Sequence, residues 1–176
     1  MYFKYYRKWR KTYIHIMKQK YSKKSKKWIY ITTIIFILIL DISSKHLIIK
    51  YIKTYDTKKI FSVLNFFHVH NHGAAFSFLS DQNGWQKWFL STVSILTILV
   101  MTRIITKLKK QETKKITAYS LIIAGATGNL IDRIFYGFVV DFIDIHINDW
   151  HFATFNIADC SIFIGIIILM RINYST

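Results

Sequence analysis

Four largely apolar stretches dominate the chain, each long enough to cross about 30 Å of hydrocarbon as a helix of about 20 residues. They run over about 28–49 (WIYITTIIFILILDISSKHLII), 85–105 (WQKWFLSTVSILTILVMTRII), 116–135 and 156–172. A cleavable leader would have a shorter apolar core followed by a small-residue cut site, so the first stretch reads as a retained span. The sequence contains no proline, and no low-complexity linker or solenoid-length repeat interrupts the pattern. Hydrophobic residues make up 52% of the chain, which is high for a soluble domain.

Charge orients these spans. Lys and Arg number 25 against 9 Asp and Glu, a formal charge of +16. In a soluble protein that excess would point to nucleic acid. Beside long apolar runs it points to anionic phospholipid, and no nucleic-acid partner is expected. Residues 1–27 carry eleven Lys/Arg and no acid, and KLKKQETKK at 107–115 adds a second basic block. The positive-inside bias places both in the cytoplasm, so both termini lie inside. The expected organisation is a basic cytoplasmic extension, 1–27, followed by one membrane domain, 28–176. The expected fold class is membrane α-helical: a four-transmembrane-helix bundle with a small extracytoplasmic β-rich segment. The outer connections, about 50–84 and 136–155, alternate apolar and polar residues, which predicts short strands or a hairpin in the first and extended chain in the second. The lone Cys160 excludes an intramolecular disulfide and a cysteine-cluster zinc site.

The acidic residues gather toward one face of this arrangement. Of the nine, five fall between 132 and 159: Asp132, Asp141, Asp144, Asp149 and Asp159. Asp41 joins them, because a helix entering near Trp28 has risen about 20 Å by residue 41. Carboxylates in or beside membrane spans are costly, which makes them functional candidates. Each also has a structural reading. Asn156 and Asp159 fit a capping box at the start of the last helix. Asp132 and Arg133 fit an ion pair closing the third helix, and Asp132 is assigned to scaffolding. Asp41 and Lys45 fit an i, i+4 pair with Lys45 reaching outward. Asp144 and Asp149 read as solvated loop residues. Asp141 has no such local reading, since it sits inside the apolar run FVVDFI. If Asp141 approaches Asp159, the two cannot both ionise cheaply, and they would share a proton near neutral pH. That is the chemistry of an aspartic peptidase.

Five segments, in order, carry a family resemblance: DISSK at 41–45, NHGAAFSFL at 71–79, GATGNLIDR at 125–133, VVDFID at 139–144 and FNIAD at 155–159. The chain resembles the lipoprotein signal peptidase, or signal peptidase II, family over nearly all its length beyond the basic extension. The resemblance implies an aspartic endopeptidase of the bacterial cytoplasmic (inner) membrane, with its site at the extracytoplasmic face. It would remove signal peptides from prolipoproteins by cutting before a diacylglyceryl-modified cysteine. It further implies that Asp141 and Asp159 are the catalytic pair, with Asp41, Lys45, Asn71, Asn129, Arg133 and Asn156 in support. No metal or other cofactor is expected, and nothing in the sequence demands more than a monomer. Ala124 departs from the glycine of many relatives but still permits close packing beside Gly128. The segment 65–78 reads as a partly apolar platform over the site, with Gly73 allowing close backbone approach.

Rival readings are weaker. His68, His70 and His72 alternate and would share one face of a strand, a possible zinc site. The helical HExxH pattern of a metallopeptidase does not occur. Ser44 and Lys45, adjacent on a helix, point in different directions and do not form a dyad readily. A small ion-coupled transporter or membrane scaffold would place its carboxylates nearer mid-membrane, and a lipid-binding assembly factor leaves Asp141 unexplained.

Overall fold

The computed structural model describes residues 2–73 and 84–174. Residues 74–79 of the NHGAAFSFL segment, and 74–78 of the expected platform, lie outside this description.

Four helices alternate with the strands of a small sheet. Helix α1 runs unbroken over Tyr2–Tyr51, 50 residues with no glycine or proline. At 1.5 Å per residue it is about 75 Å long. The basic extension is therefore helical and continuous with the first apolar stretch. Strands β1 (Thr57–Phe61) and β2 (Leu64–Asn71) form an antiparallel hairpin. Helices α2 (Trp85–Lys107) and α3 (Thr113–Phe135) follow, separated by a short basic turn. Strands β3 (Val139–Ile147) and β4 (Trp150–His151) lead into α4 (Ile157–Tyr174). The strand order is β1-β2-β3-β4. The strands expected in both connections are thus present and join in one sheet.

Among the described residues, three helical segments are long and apolar enough to cross a membrane: Trp28–Tyr51, Trp85–Lys107 and Ile157–Tyr174. Their outward faces carry exposed Ile35, Phe36, Leu96, Leu99, Phe163 and Met170, a surface suited to lipid. Helix α3, expected as the third span, is equally long but not among these three. The reason is its position: it packs against α1, α2 and α4, and it buries polar groups (Ser120, Asn129, Asp132, Arg133) that lower its apolarity. Small residues allow the close approach. A Cβ on Gly125 would lie 2.5 Å from Ser161 Oγ, and one on Gly165 would lie 2.7 Å from the Ala118 carbonyl. Close packing through small residues is the usual means of holding helices together in lipid.

Helix α3 ends on Gly137, whose φ of 87° is costly for a residue with a side chain. Its N–H donates to the Arg133 carbonyl at 3.1 Å, and the chain then turns into β3. The C-terminal end of α1 packs under the sheet, where Ile48, Ile52, Val140 and Phe142 form an apolar cluster.

Candidate active site

Strand β3 places Asp141 at the junction of sheet and helices. Its neighbours Val139, Val140 and Phe142 are buried, and Asp141 itself is 3% exposed. Strand β2 pairs with β3 so that Val69 stands opposite Asp141 and Asn71 opposite Val139. Asn71 Nδ2 donates to Asp141 Oδ2 at 2.8 Å, while its Oδ1 accepts the Gly73 N–H at 2.9 Å.

The start of α4 supplies the second carboxylate. Asp159 N–H donates to Asn156 Oδ1 at 2.9 Å, and Asn156 N–H donates to Asp159 Oδ2 at 3.2 Å. This is the reciprocal capping box read from the sequence, and it satisfies two N–H groups that the helix itself leaves free. Capping does not account for everything Asp159 and Asn156 do. Asn156 Nδ2 also donates to Asp141 Oδ1 at 2.6 Å and to Asn129 Oδ1 at 3.2 Å. Asn129 Nδ2 donates to Asp159 Oδ1 at 2.7 Å. Asn156, wholly buried, thus donates to the Asp141 carboxylate from its side chain and to the Asp159 carboxylate from its backbone N–H.

The electrostatics follow from that burial. Loss of water raises the Asp141 carboxyl first, and the nearby Asp159 charge raises it further; hydrogen bonds from Asn71 and Asn156 and the Lys45 charge oppose them. The outcome is about 7, against an ordinary 3.8. A carboxyl near 7 beside another carboxylate can exchange a proton with water at neutral pH.

A second polar group holds the helices beneath this pair. Lys45 Nζ lies 2.8 Å from Asp41 Oδ2, as its i, i+4 spacing implied. It lies equally close to Asp132 Oδ2, at 2.8 Å, and it donates to Asn129 Oδ1 at 3.2 Å. Asp41 Oδ1 accepts the Ala158 N–H at 2.9 Å, tying α1 to the first turn of α4. A Cβ on Gly128 would fall 2.6 Å from Asp41 Oδ2, so that position admits only glycine without displacement.

Three expectations are corrected here. Lys45 does not reach outward; it is 3% exposed, because two buried carboxylates from different helices draw it inward. Asp132 pairs with Lys45 and accepts the Val140 N–H at 3.2 Å, rather than closing α3 with Arg133. Arg133 turns the other way, and its Nη2 donates to the Gly73 carbonyl at 3.0 Å. Asp144 is not a solvated loop residue: it lies in β3, is 2% exposed, and accepts from Asn65 Nδ2 at 2.9 Å. Asp149 does lie exposed in a turn.

The expected site residues Asp141, Asp159, Asp41, Lys45, Asn71, Asn129, Arg133 and Asn156 therefore converge at the sheet end of the helices. Sequence reasoning missed Asp144 and its neighbours. The register shift between Phe66 and Val69 disturbs strict alternation, and Asp141 and Asp144, three residues apart, line the same cavity of about 500 Å³. Of the three histidines, His68 is buried and its Nδ1 lies 2.8 Å from the Ile52 carbonyl, which fixes Nδ1–H as donor. His70 stacks on Phe138 with ring centroids 3.8 Å apart. Among the described residues, no three His, Cys, Asp or Glu side chains are grouped to hold a metal ion.

Known proteins match this chain closely. A family model described as signal peptidase (SPase) II matches residues 33–174. The lipoprotein signal peptidase of Buchnera aphidicola subsp. Acyrthosiphon pisum (strain APS) is 99% identical over 160 residues, covering 91% of this chain and 100% of the relative. That of Shigella boydii serotype 4 (strain Sb227) is 42% identical over 149 residues, covering 85% and 90%. A bacterial membrane enzyme solved by the in meso method at 2.3 Å superposes with a TM-score of 0.75 at 32% identity, covering 83% of this chain and 87% of that one.

Proposed function

Because the chain belongs to the signal peptidase II family, we propose that it removes signal peptides from prolipoproteins with Asp141 and Asp159 as a water-activating pair. The cut falls before the diacylglyceryl-modified cysteine. The observation that carries this reading is the Asp141 carboxyl, lifted to about 7 by burial and by Asp159, with Asn156 donating to one carboxylate from its side chain and to the other from its backbone N–H.

The pair holds one proton between its carboxyls in this account. The ionised member removes a proton from a water molecule as its oxygen attacks the scissile carbonyl carbon. The protonated member gives its proton to the carbonyl oxygen. Collapse of the tetrahedral intermediate breaks the C–N bond: the amine of the modified cysteine leaves with the proton first taken from water, and a hydroxyl of the intermediate returns its proton to the other carboxylate, which restores the shared proton. Asn71, Asn129 and Asn156 fix the carboxylate rotamers, while Lys45 with Asp41 and Asp132 locks α1, α3 and α4 beneath them. Arg133 anchors the Gly73 carbonyl at the mouth of the site.

The placement of the pair supports the substrate class. Acyl chains of a lipid-modified cysteine rest among the lipid-facing helices, and the scissile bond then meets carboxylates at the sheet end. In this reading α3 is the third of four spans, buried within the bundle, and both termini are cytoplasmic, with 1–27 as a basic extension. The site faces the extracytoplasmic side of the inner membrane. The pair is complete within one chain, which supports a working monomer. Family membership favours the peptidase over an ion-coupled transporter. The test is incubation of purified protein with a precursor carrying diacylglyceryl-cysteine and with its unmodified counterpart. Cleavage of the first immediately before cysteine is expected; equal cleavage of both, or of neither, overturns the reading.

A further inference from the structure

The cavity that reaches Asp141 has a second polar end. Its lining holds Asp141 with its partner Asn71, Asp144 with its partner His151, and the apolar Phe67 and Phe152. His151 is half-exposed, and its Nδ1 lies 2.8 Å from Asp144 Oδ1 and 3.0 Å from Oδ2. A carboxylate oxygen accepts, so Nδ1 is the donor of this pair, and the neutral form of such a ring has its lone pair on Nε2. Asp144 is itself fixed by Asn65, and the His146 ring stacks on His151 at 5.1 Å and 20°. A histidine with one nitrogen held by a buried carboxylate has a set tautomer and ring orientation. A merely solvated histidine needs neither the buried carboxylate nor the stacked ring.

We propose that His151, oriented by Asp144, is a substrate-positioning residue that accepts a backbone N–H of the precursor peptide lying in this cavity. The inference rests on the peptidase reading and deepens it. The apolar lining of Phe67, Val69 and Phe152 takes apolar side chains of an extended peptide, and His151 Nε2 sets its register relative to Asp141. Asp144 acts through His151 and touches no substrate.

The test compares wild type, His151→Ala, His151→Gln and Asp144→Asn on a lipidated precursor and on a series in which single backbone amides are replaced by esters. His151→Ala is expected to raise KM about tenfold with kcat unchanged, as loss of one uniformly felt hydrogen bond does. His151→Gln, whose Oε1 still accepts, restores part of the loss, and Asp144→Asn gives an intermediate rise. One ester position costs wild type about the same factor and costs His151→Ala nothing further. An unchanged KM in His151→Ala, or an ester penalty identical in both proteins at every position, overturns the proposal. Direct binding of the labelled precursor is measured alongside. Binding that depends on His151 without any wild-type cleavage contradicts the peptidase reading but sustains this one. Normal cleavage and binding in His151→Ala does the reverse.

Discussion

Replacing Asn156 with serine separates the two tasks that residue performs. Serine at this position still offers an oxygen to the Asp159 N–H, so the start of α4 stays capped. It has no counterpart of Nδ2, and the 2.6 Å bond to Asp141 Oδ1 and the 3.2 Å bond to Asn129 are lost. A hydrogen bond to a charged group is worth about 1.5–3 kcal/mol. At 1.36 kcal/mol per pKa unit, its loss raises Asp141 by about 1–2 units above its value of about 7. Asp141 holds the shared proton beside an ionised Asp159, so the basic limb of kcat/KM, which reports loss of that proton from the free enzyme, moves up by that amount. At pH 7 the fraction that holds the shared proton rises from about one half to about 90–99%. Near pH 8 it rises from about 10% to about 50–90%, so the variant keeps activity about 1–2 pH units further into the alkaline range than wild type. The assay is kcat/KM on a lipidated precursor from about pH 5 to 10, with circular dichroism to verify helix content. A uniform loss at every pH, with the basic limb unmoved, refutes the electrostatic role of Asn156 and leaves it a purely geometric one.

Two further perturbations read the scaffold. Lys45→Leu removes the cation between buried Asp41 and Asp132 and should destabilise the fold by about 3–5 kcal/mol, seen as a lowered unfolding midpoint in detergent; an unchanged midpoint contradicts the bridge. Asp141→Asn tests linkage. The Asp141 carboxyl rises from 3.8 to about 7 on folding, so the stability it contributes is complete below about 3.8 and is lost as pH rises through about 7. The unfolding midpoint of Asp141→Asn should therefore gain on wild type between about pH 4 and pH 8; a constant or reversed difference shows that Asp141 is not strained when ionised.

Much of this was legible in the chain. The apolar runs located the helices, and the alternation in the connections 50–84 and 136–155 located the strands. The i, i+4 spacing of Asp41 and Lys45 and the Asn156–Asp159 capping box are local patterns, so they survive folding intact. Asp141 stood out because a carboxyl in an apolar strand has no local partner. What could not be read depends on contacts between distant segments. Lys45 turns inward only because α3 brings Asp132 to it across 87 residues, the difference between 45 and 132. Arg133 leaves its neighbour Asp132 because Gly73 offers a carbonyl. Asp144 is buried because a register shift in the β2–β3 ladder places it beside Asn65, and no single-strand pattern announces such a shift. The polar content of α3 has the same origin: as the inner helix it faces protein rather than lipid.

The central claim is that Asp141 and Asp159 carry the proton chemistry, and single-turnover cleavage of a diacylglyceryl-cysteine precursor by purified Asp141→Asn and Asp159→Asn tests it most directly. Each variant keeps the shape of the side chain and loses its acid–base capacity. Each is expected to insert in the membrane normally, bind the precursor, and lose cleavage by at least about 10²–10⁴-fold. Cleavage at the wild-type rate in either variant would contradict the pair.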